Sequence, residues 1–212
     1  MNNNSNNITA DVVKAFYREY PRLECALEYG GDPFRLLIMA ILSAQCTDRQ
    51  VNAVSEALFK RFPDAASIAE SEPGELERYI YSTGFYNTKA KSIRACCKTL
   101  TDEFGGAVPS EMSDLLKLGG VGRKVANLIR GDIFGLGGIV ADTHMIRISN
   151  RLGLVSSRNP VIVEKTLSNL VPIELQSGFC HRAVVFGREI CKAKKPKCDK
   201  CFIKAKGLCG GV

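Results

Sequence analysis

The chain contains no tryptophan and only two histidines. No uncharged apolar run reaches the roughly 18 residues that a membrane-spanning helix needs, so no membrane segment is expected. The first residues, Met1 to Asn7, are polar and rich in asparagine. They lack the basic and apolar segments of a secretory signal, which argues against export. Acidic residues are nearly missing from the carboxy-terminal stretch. From Cys191 to Val212 a single acid, Asp199, stands against seven lysines, at 192, 194, 195, 197, 200, 204 and 206. That stretch carries +6 of the chain's net +7. A basic patch of this density points to a polyanionic partner, nucleic acid above all, with a solvated lysine-rich tail as the alternative.

What is present suits a globular protein. At 212 residues the chain allows one large domain or two small ones. A chain of this length hides roughly 70% of its unfolded surface and needs no staples. The composition, 45% hydrophobic and 24% charged, is ordinary for a soluble globular protein.

Periodicity is helical almost throughout, and the expected fold is all-α. Asp32-Pro33 has the form of an N-cap followed by proline at the first helical position, opening the run Phe34 to Leu42. Thr47-x-x-Gln50 has the form of a capping box before Val51 to Phe62. Ser71 is read as the cap of a helix through Ile80, Asn87 as the cap of Thr88 to Phe104, and Ser110 as the cap of Glu111 to Leu118. Further helices are expected from the Gly119–Gly122 break to Phe134, from Thr143 to Arg151, after Asn159-Pro160, and over Gln176 to Cys191. Gly138 to Ala141 is the best strand candidate and is very short.

The most informative segment is Leu118-Gly119-Gly120-Val121-Gly122-Arg123-Lys124, a glycine-rich turn between two amphipathic helices. A helix starting there points unpaired N–H groups and a positive dipole end outward, as a phosphate site requires. A plain helix corner packed through glycine remains the alternative. Lys124, in the first turn, opposes the dipole. The same opposition favours the neutral amine, a nucleophile able to form a Schiff base with a sugar carbon. An ordinary surface lysine is the bland reading. Asp142 falls where a helix begins at Thr143. It serves as an N-cap, or, facing a cleft with Lys124, stabilises positive charge or moves protons. His144 beside it reads as a packed, hydrogen-bonded histidine more readily than as a catalytic one.

Cys191, Cys198, Cys201 and Cys209 lie within one short segment. Four thiolates so close suit a tetrahedral metal or an iron–sulfur cluster. Nothing indicates an oxidising compartment, which disfavours disulfides. Zinc sites of four cysteines usually use two C-x2-C pairs. Only one is present here, so the spacing leans toward iron–sulfur with zinc still open. Cys25, Cys46, Cys96, Cys97 and Cys180 are expected to pack as small apolar side chains.

These motifs together resemble the endonuclease III family, the helix-hairpin-helix DNA glycosylases with an aspartate after the hairpin. The resemblance also takes in Leu42-Ser43-Ala44-Gln45-x-Thr47-Asp48, Gly84-Phe85-Tyr86-Asn87-x-Lys89-Ala90 and Asn150-Arg151. It covers the chain after the asparagine-rich start. It implies two helical domains flanking a DNA cleft: a six-helix barrel over 26–136, and a cluster domain of 1–25 with 137–212. It implies a 4Fe–4S cluster on the four cysteines. It further implies excision of oxidised pyrimidines from double-stranded DNA and cleavage of the abasic site by a cytoplasmic, nucleoid-associated prokaryotic monomer. Lys124 would be the nucleophile and Asp142 the catalytic carboxylate. Gly120, Val121 and Gly122 would present backbone N–H groups to a phosphate, while Gln45 would fill the gap in the duplex with Phe85 as a wedge. Arg123, His144, Lys192, Lys194, Lys195 and Lys197 would add DNA contacts.

Three departures from the family pattern stand out. The last cysteine gap has seven residues where five are usual, which makes Cys209 the ligand in most doubt. Gly119 replaces a proline, which should loosen the hairpin. Phe85 replaces leucine, giving a bulkier wedge. A monofunctional mismatch glycosylase and a non-enzymatic DNA-binding module are the competing readings.

Overall fold

A computed structural model describes residues 3–209, with side chains from Ile8 onward. Every regular element among them is helical, and no helix is long and apolar enough to cross a membrane. The chain divides into two compact units, one of Ala26–Phe134 and one of Met1–Cys25 with Gly135–Val212.

The first unit holds α2 (Pro33–Leu42), α3 (Asp48–Arg61), α4 (Ala65–Ala69), α5 (Glu75–Ile80), α6 (Tyr86–Phe104), α7 (Met112–Leu115) and α8 (Arg123–Asp132). Of the five caps read here from the sequence, Asp32 and Thr47 are present, while Asn87 lies inside α6 and Glu111, not Ser110, precedes α7. Asp32 accepts from Phe34 N (2.8 Å) and Arg35 N (3.1 Å), and Thr47 Oγ1 accepts from Gln50 N (3.3 Å). The Gln50 amide reaches across to Ser82 Oγ (2.7 Å), so it joins α3 to the turn after α5. Helix α2 is apolar on nearly all sides and Leu36–Leu42 are buried, so α3, α6 and α8 can all pack on it.

The short α4 is not among the helices read from the sequence. Five residues are too few for α4 to show a helical period, and its only advance signal was the Asp64–Ser67 capping box. Ser71 does not cap α5. Its hydroxyl donates to Ile68 O at the end of α4, and α5 begins only after Gly74, at φ 86°. Helix α6 begins two residues before the expected start, from Phe85 in the left-handed region, and α7 is shorter than expected. Gly105 and Gly106 close α6 as expected, with Gly106 N bonded to Leu100 O.

Arg94 on α6 binds Glu77 of α5 through both carboxylate oxygens (2.6 and 2.9 Å), and this pairing lowers the Glu77 carboxyl to about 2. A depressed carboxylate stabilises the fold above its unfolded value near 4.5 and loses that contribution as pH falls toward 2. Acid unfolding monitored by circular dichroism should therefore show a stability loss in this window. Arg94→Met should flatten it, and an unchanged acid limb would contradict the assignment.

The second unit joins α1 (Asn3–Glu19) to α9 (Thr143–Arg151), α10 (Pro160–Leu170), α11 (Ile173–Glu189) and α12 (Phe202–Ala205). Its core centres on Phe16, whose ring meets Phe179, Phe186 and Phe202 edge-on at 5.0–5.7 Å. The expected strand at 138–141 is an extended segment without a strand partner. Gly138 N donates to Gln176 Oε1 (2.9 Å) and Val140 N to Cys180 Sγ (3.2 Å), so side chains of α11 take the backbone bonds that a ladder would use.

Candidate functional site

In the first unit the glycine turn sets Lys124 as the second residue of α8, exposed to solvent. Gly122 is the extended N-cap, and the first helical bond runs from Ala126 N to Gly122 O, leaving the earlier amides without helical partners. Gly120 sits at φ 76°, and Val121 is buried, as a hairpin anchor should be. The Val121 N–H closes the turn onto Leu118 O (3.1 Å), so it is not a spare phosphate donor; Gly120 and Gly122 are the exposed glycines.

Gly119 does more than stand in for proline. A Cβ there would lie 2.7 Å from both Ser92 O and Ala95 Cβ and 2.9 Å from Cys96 N, so the hairpin rests directly on the α6 backbone. Far from loosening the turn, glycine lets it seat. Gly119→Ala should lower stability by about 1–3 kcal/mol, read as a lowered Tm, because backbone atoms must move. A wild-type Tm would show that α6 yields freely.

Gln45, Phe85 and Gly120 are brought together. With Ile41, Ala44, Thr88, Lys89 and Ser92 they line one open pocket of about 250 Å³. Gln45 (φ 52°) and Phe85 (φ 50°) are two of only three non-glycine residues in the left-handed region among the described residues, and Phe85 is 65% exposed. Backbone strain and an exposed aromatic ring at one pocket are features a functional surface carries and a stable core avoids. Behind them lies Lys89, buried, with Nζ donating to Thr83 O at 2.8 Å; burial lowers its pKa. The sequence quoted Lys89 within a motif but gave it no role, and Tyr81, 66% exposed with its ring tilted against Tyr86 at 4.8 Å, gave no signal at all.

In the second unit Asp142 is the N-cap of α9. Its Oδ1 accepts from Met145 N at 2.7 Å, and its other carboxylate oxygen has no hydrogen bond among the described residues. His144 is half-buried beside Gly187, its Nδ1 3.1 Å from Arg147 Nη2. A guanidinium only donates, so Nδ1 is the acceptor and carries no proton. This is the packed, hydrogen-bonded histidine of the first reading.

Cys191, Cys198, Cys201 and Cys209 line one cavity, walled by Leu152, Phe186, Ile190 and Pro196. The long final gap closes because α12 coils the extra chain and Gly207, at φ 69°, turns it back; Gly207 N and Leu208 N bond Lys204 O and Ile203 O. Arg151 donates to Cys191 Sγ (3.3 Å) and to the carbonyls of Lys192 and Ala193. Arg147 donates to Cys191 O (3.1 Å). Two arginines of α9 therefore hold the start of the loop that exposes Lys192, Lys194, Lys195 (φ 52°) and Lys197. Of the other cysteines, Cys96, Cys97 and Cys180 are buried as expected, and burial pushes the Cys96 thiol up to about 12. Cys25 and Cys46 are half-exposed and are not core residues.

Residues 38–172 match the HhH-GPD superfamily of base excision DNA repair proteins. Endonuclease III of Synechocystis sp. is 44% identical over 192 residues, spanning 90% of this chain and 87% of that one. A solved non-covalent endonuclease III–DNA complex superimposes with a TM-score of 0.87 at 39% identity, over 95% of this chain and 93% of the other. A trapped endonuclease III–DNA covalent intermediate gives 0.86 at 39% identity, over 93% and 92%. With this extent of identity, over a fold that seats the glycine hairpin and gathers four cysteines, the chain belongs to the endonuclease III family, the DNA glycosylase and lyase enzymes of base excision repair within the HhH-GPD superfamily.

Proposed function

We propose that this enzyme removes oxidised pyrimidines from duplex DNA and cleaves the resulting abasic site through a Schiff base on Lys124. The observation that carries the reading is the exposed amine of Lys124 directly after a phosphate-ready hairpin, in a chain similar to one trapped covalently on DNA. A base inside a duplex is out of reach, and turning it out costs a few kcal/mol. Gln45 and Phe85 offset part of that cost by filling the vacated space. The N–H groups of Gly120 and Gly122, with Arg123, hold a phosphate, and the lysines at 192, 194, 195 and 197 hold the backbone without reading sequence.

The neutral Lys124 amine attacks C1′ as the bond to the base breaks, and the base departs with the electron pair and gains a proton. The free carboxylate oxygen of Asp142 stabilises the positive charge that builds on the sugar, then accepts a proton from the nitrogen. The nitrogen lone pair then breaks the C1′–O4′ bond, O4′ takes up the proton, and the opened sugar is an iminium that acidifies its C2′–H bond. Loss of that proton expels the 3′ phosphate by β-elimination, and water releases the lysine.

Cys191, Cys198, Cys201 and Cys209 would hold a 4Fe–4S cluster. An all-thiol cavity with apolar walls and an arginine donor on one sulfur fits such a group. When bound it supplies a cross-link that fixes the basic loop.

Borohydride reduction on an abasic duplex, followed by a panel of oxidised-pyrimidine substrates, tests the reading. A covalent adduct and release of oxidised pyrimidines are expected. Base release without any adduct would establish the monofunctional alternative, and DNA binding without either would leave only a binding module.

A further inference from the structure

Helix α9 carries a second feature that the reaction above does not use. An open groove of about 510 Å³ is lined by Thr143, Ile146, Arg147, Asn150, Arg151 and Arg158. It has three guanidinium groups and no carboxylate. Arg147 is fixed by the carbonyls of Thr143, Gly187 and Cys191, and Arg151 by those of Lys192 and Ala193. Carbonyls orient Arg147 without cancelling its charge, whereas Arg151 also donates to Cys191 Sγ (3.3 Å). The two stand four residues apart on one helix, where like charges repel.

Arg158 completes the set. Asn150 grips the residue before it from both sides, donating to Ser157 O (2.7 Å) and accepting from Ser157 N (3.1 Å). Asn159, the residue after it, is the N-cap of α10 and accepts from Val161 N (2.9 Å). The backbone of Arg158 is thus pinned at both neighbours while its exposed guanidinium has no hydrogen bond or ion pair among the described residues. A fixed stem with spare donors is what a bidentate phosphate contact needs. Within this unit the groove starts one residue after Asp142 and ends at the arginine holding the lysine loop.

We propose that this groove binds a backbone phosphate of duplex DNA, with Arg158 as the direct donor, extending the protein's hold on the strand between Asp142 and the lysine loop. The proposal rests on the DNA-processing reading. Its test measures binding of an abasic-analogue duplex by fluorescence anisotropy across a salt series, with the full cluster-loaded chain. One lost phosphate contact lowers the slope of log K against log salt by about 0.9. Arg158→Ala should show that change with several-fold weaker binding at low salt, and Arg158→Lys should keep most of the slope. Arg158 is exposed, so both variants should melt like the native protein.

Equal slopes for native protein and Arg158→Ala overturn the proposal, and so does a loss that is uniform across salt. If the groove takes free phosphate instead, replacing chloride by inorganic phosphate at constant ionic strength will weaken only the native protein while the slopes stay equal, which also overturns it. A native chain that binds no duplex fails both readings. Normal borohydride trapping with an unaffected Arg158→Ala slope fails this one alone.

Discussion

Asp142→Asn is expected to melt like the native enzyme and to lose activity by about 10²–10⁴-fold in base excision, the range for a missing positioned acid–base group. Structure and chemistry are separable here because they use different atoms. One carboxylate oxygen accepts from Met145 N and starts α9. An asparagine oxygen accepts that bond equally well, since the two residues are equivalent as N-caps. What asparagine lacks is the negative charge on the remaining oxygen. Asp142→Ala removes both, so it should add a stability loss of about 1 kcal/mol to the same kinetic defect. Single-turnover kinetics with thermal melts on both variants check this. An asparagine variant within tenfold of native activity would reduce Asp142 to a helix cap.

Lys124→Ala is expected to abolish the borohydride adduct and to reduce strand cleavage on abasic DNA by at least about 10³-fold, as loss of a covalent nucleophile does elsewhere. Stability should move the other way. The native lysine places a cation against the positive end of α8, and alanine removes it, so the variant should gain about 0.3–1 kcal/mol. Opposite signs in activity and Tm mark a residue kept for chemistry at the expense of the fold. Lys124→Arg keeps the charge but offers no neutral amine, so it should fail kinetically without the stability gain. An adduct that persists in Lys124→Ala would move the nucleophile elsewhere in the chain.

Much of this was legible in the sequence because local rules decide it. The caps at Asp32, Thr47, Asp142 and Asn159 form as their side chains dictate. The four cysteines and the glycine turn were visible because each set lies close together in the sequence. What escaped depends on neighbours distant along the chain. The short α4 has no period to read. The extended segment at 138–141 looked like a strand because β-branched residues favour that backbone, yet its hydrogen bonds go to side chains of α11. The tight seating of Gly119 needs knowledge of Ser92 and Ala95 on α6. The buried Lys89 and the Asn150 grip on Ser157 likewise appear only when the fold brings their partners close.

The aromatic cluster around Phe16 has a consequence for how the protein is made. Phe16 lies on the first helix, while Phe179, Phe186 and Phe202 lie far along the chain. Ala26–Phe134 can fold as it leaves the ribosome, from contacts within itself. Helix α1 has no such option. At about 5–20 residues per second, its apolar face waits on the order of ten seconds or more for α11 and α12 to be synthesised. Contacts this distant in sequence also close slowly. The cysteine cavity shares that core through Phe186, so its four thiols are gathered last in the order of synthesis, after the hairpin is already formed.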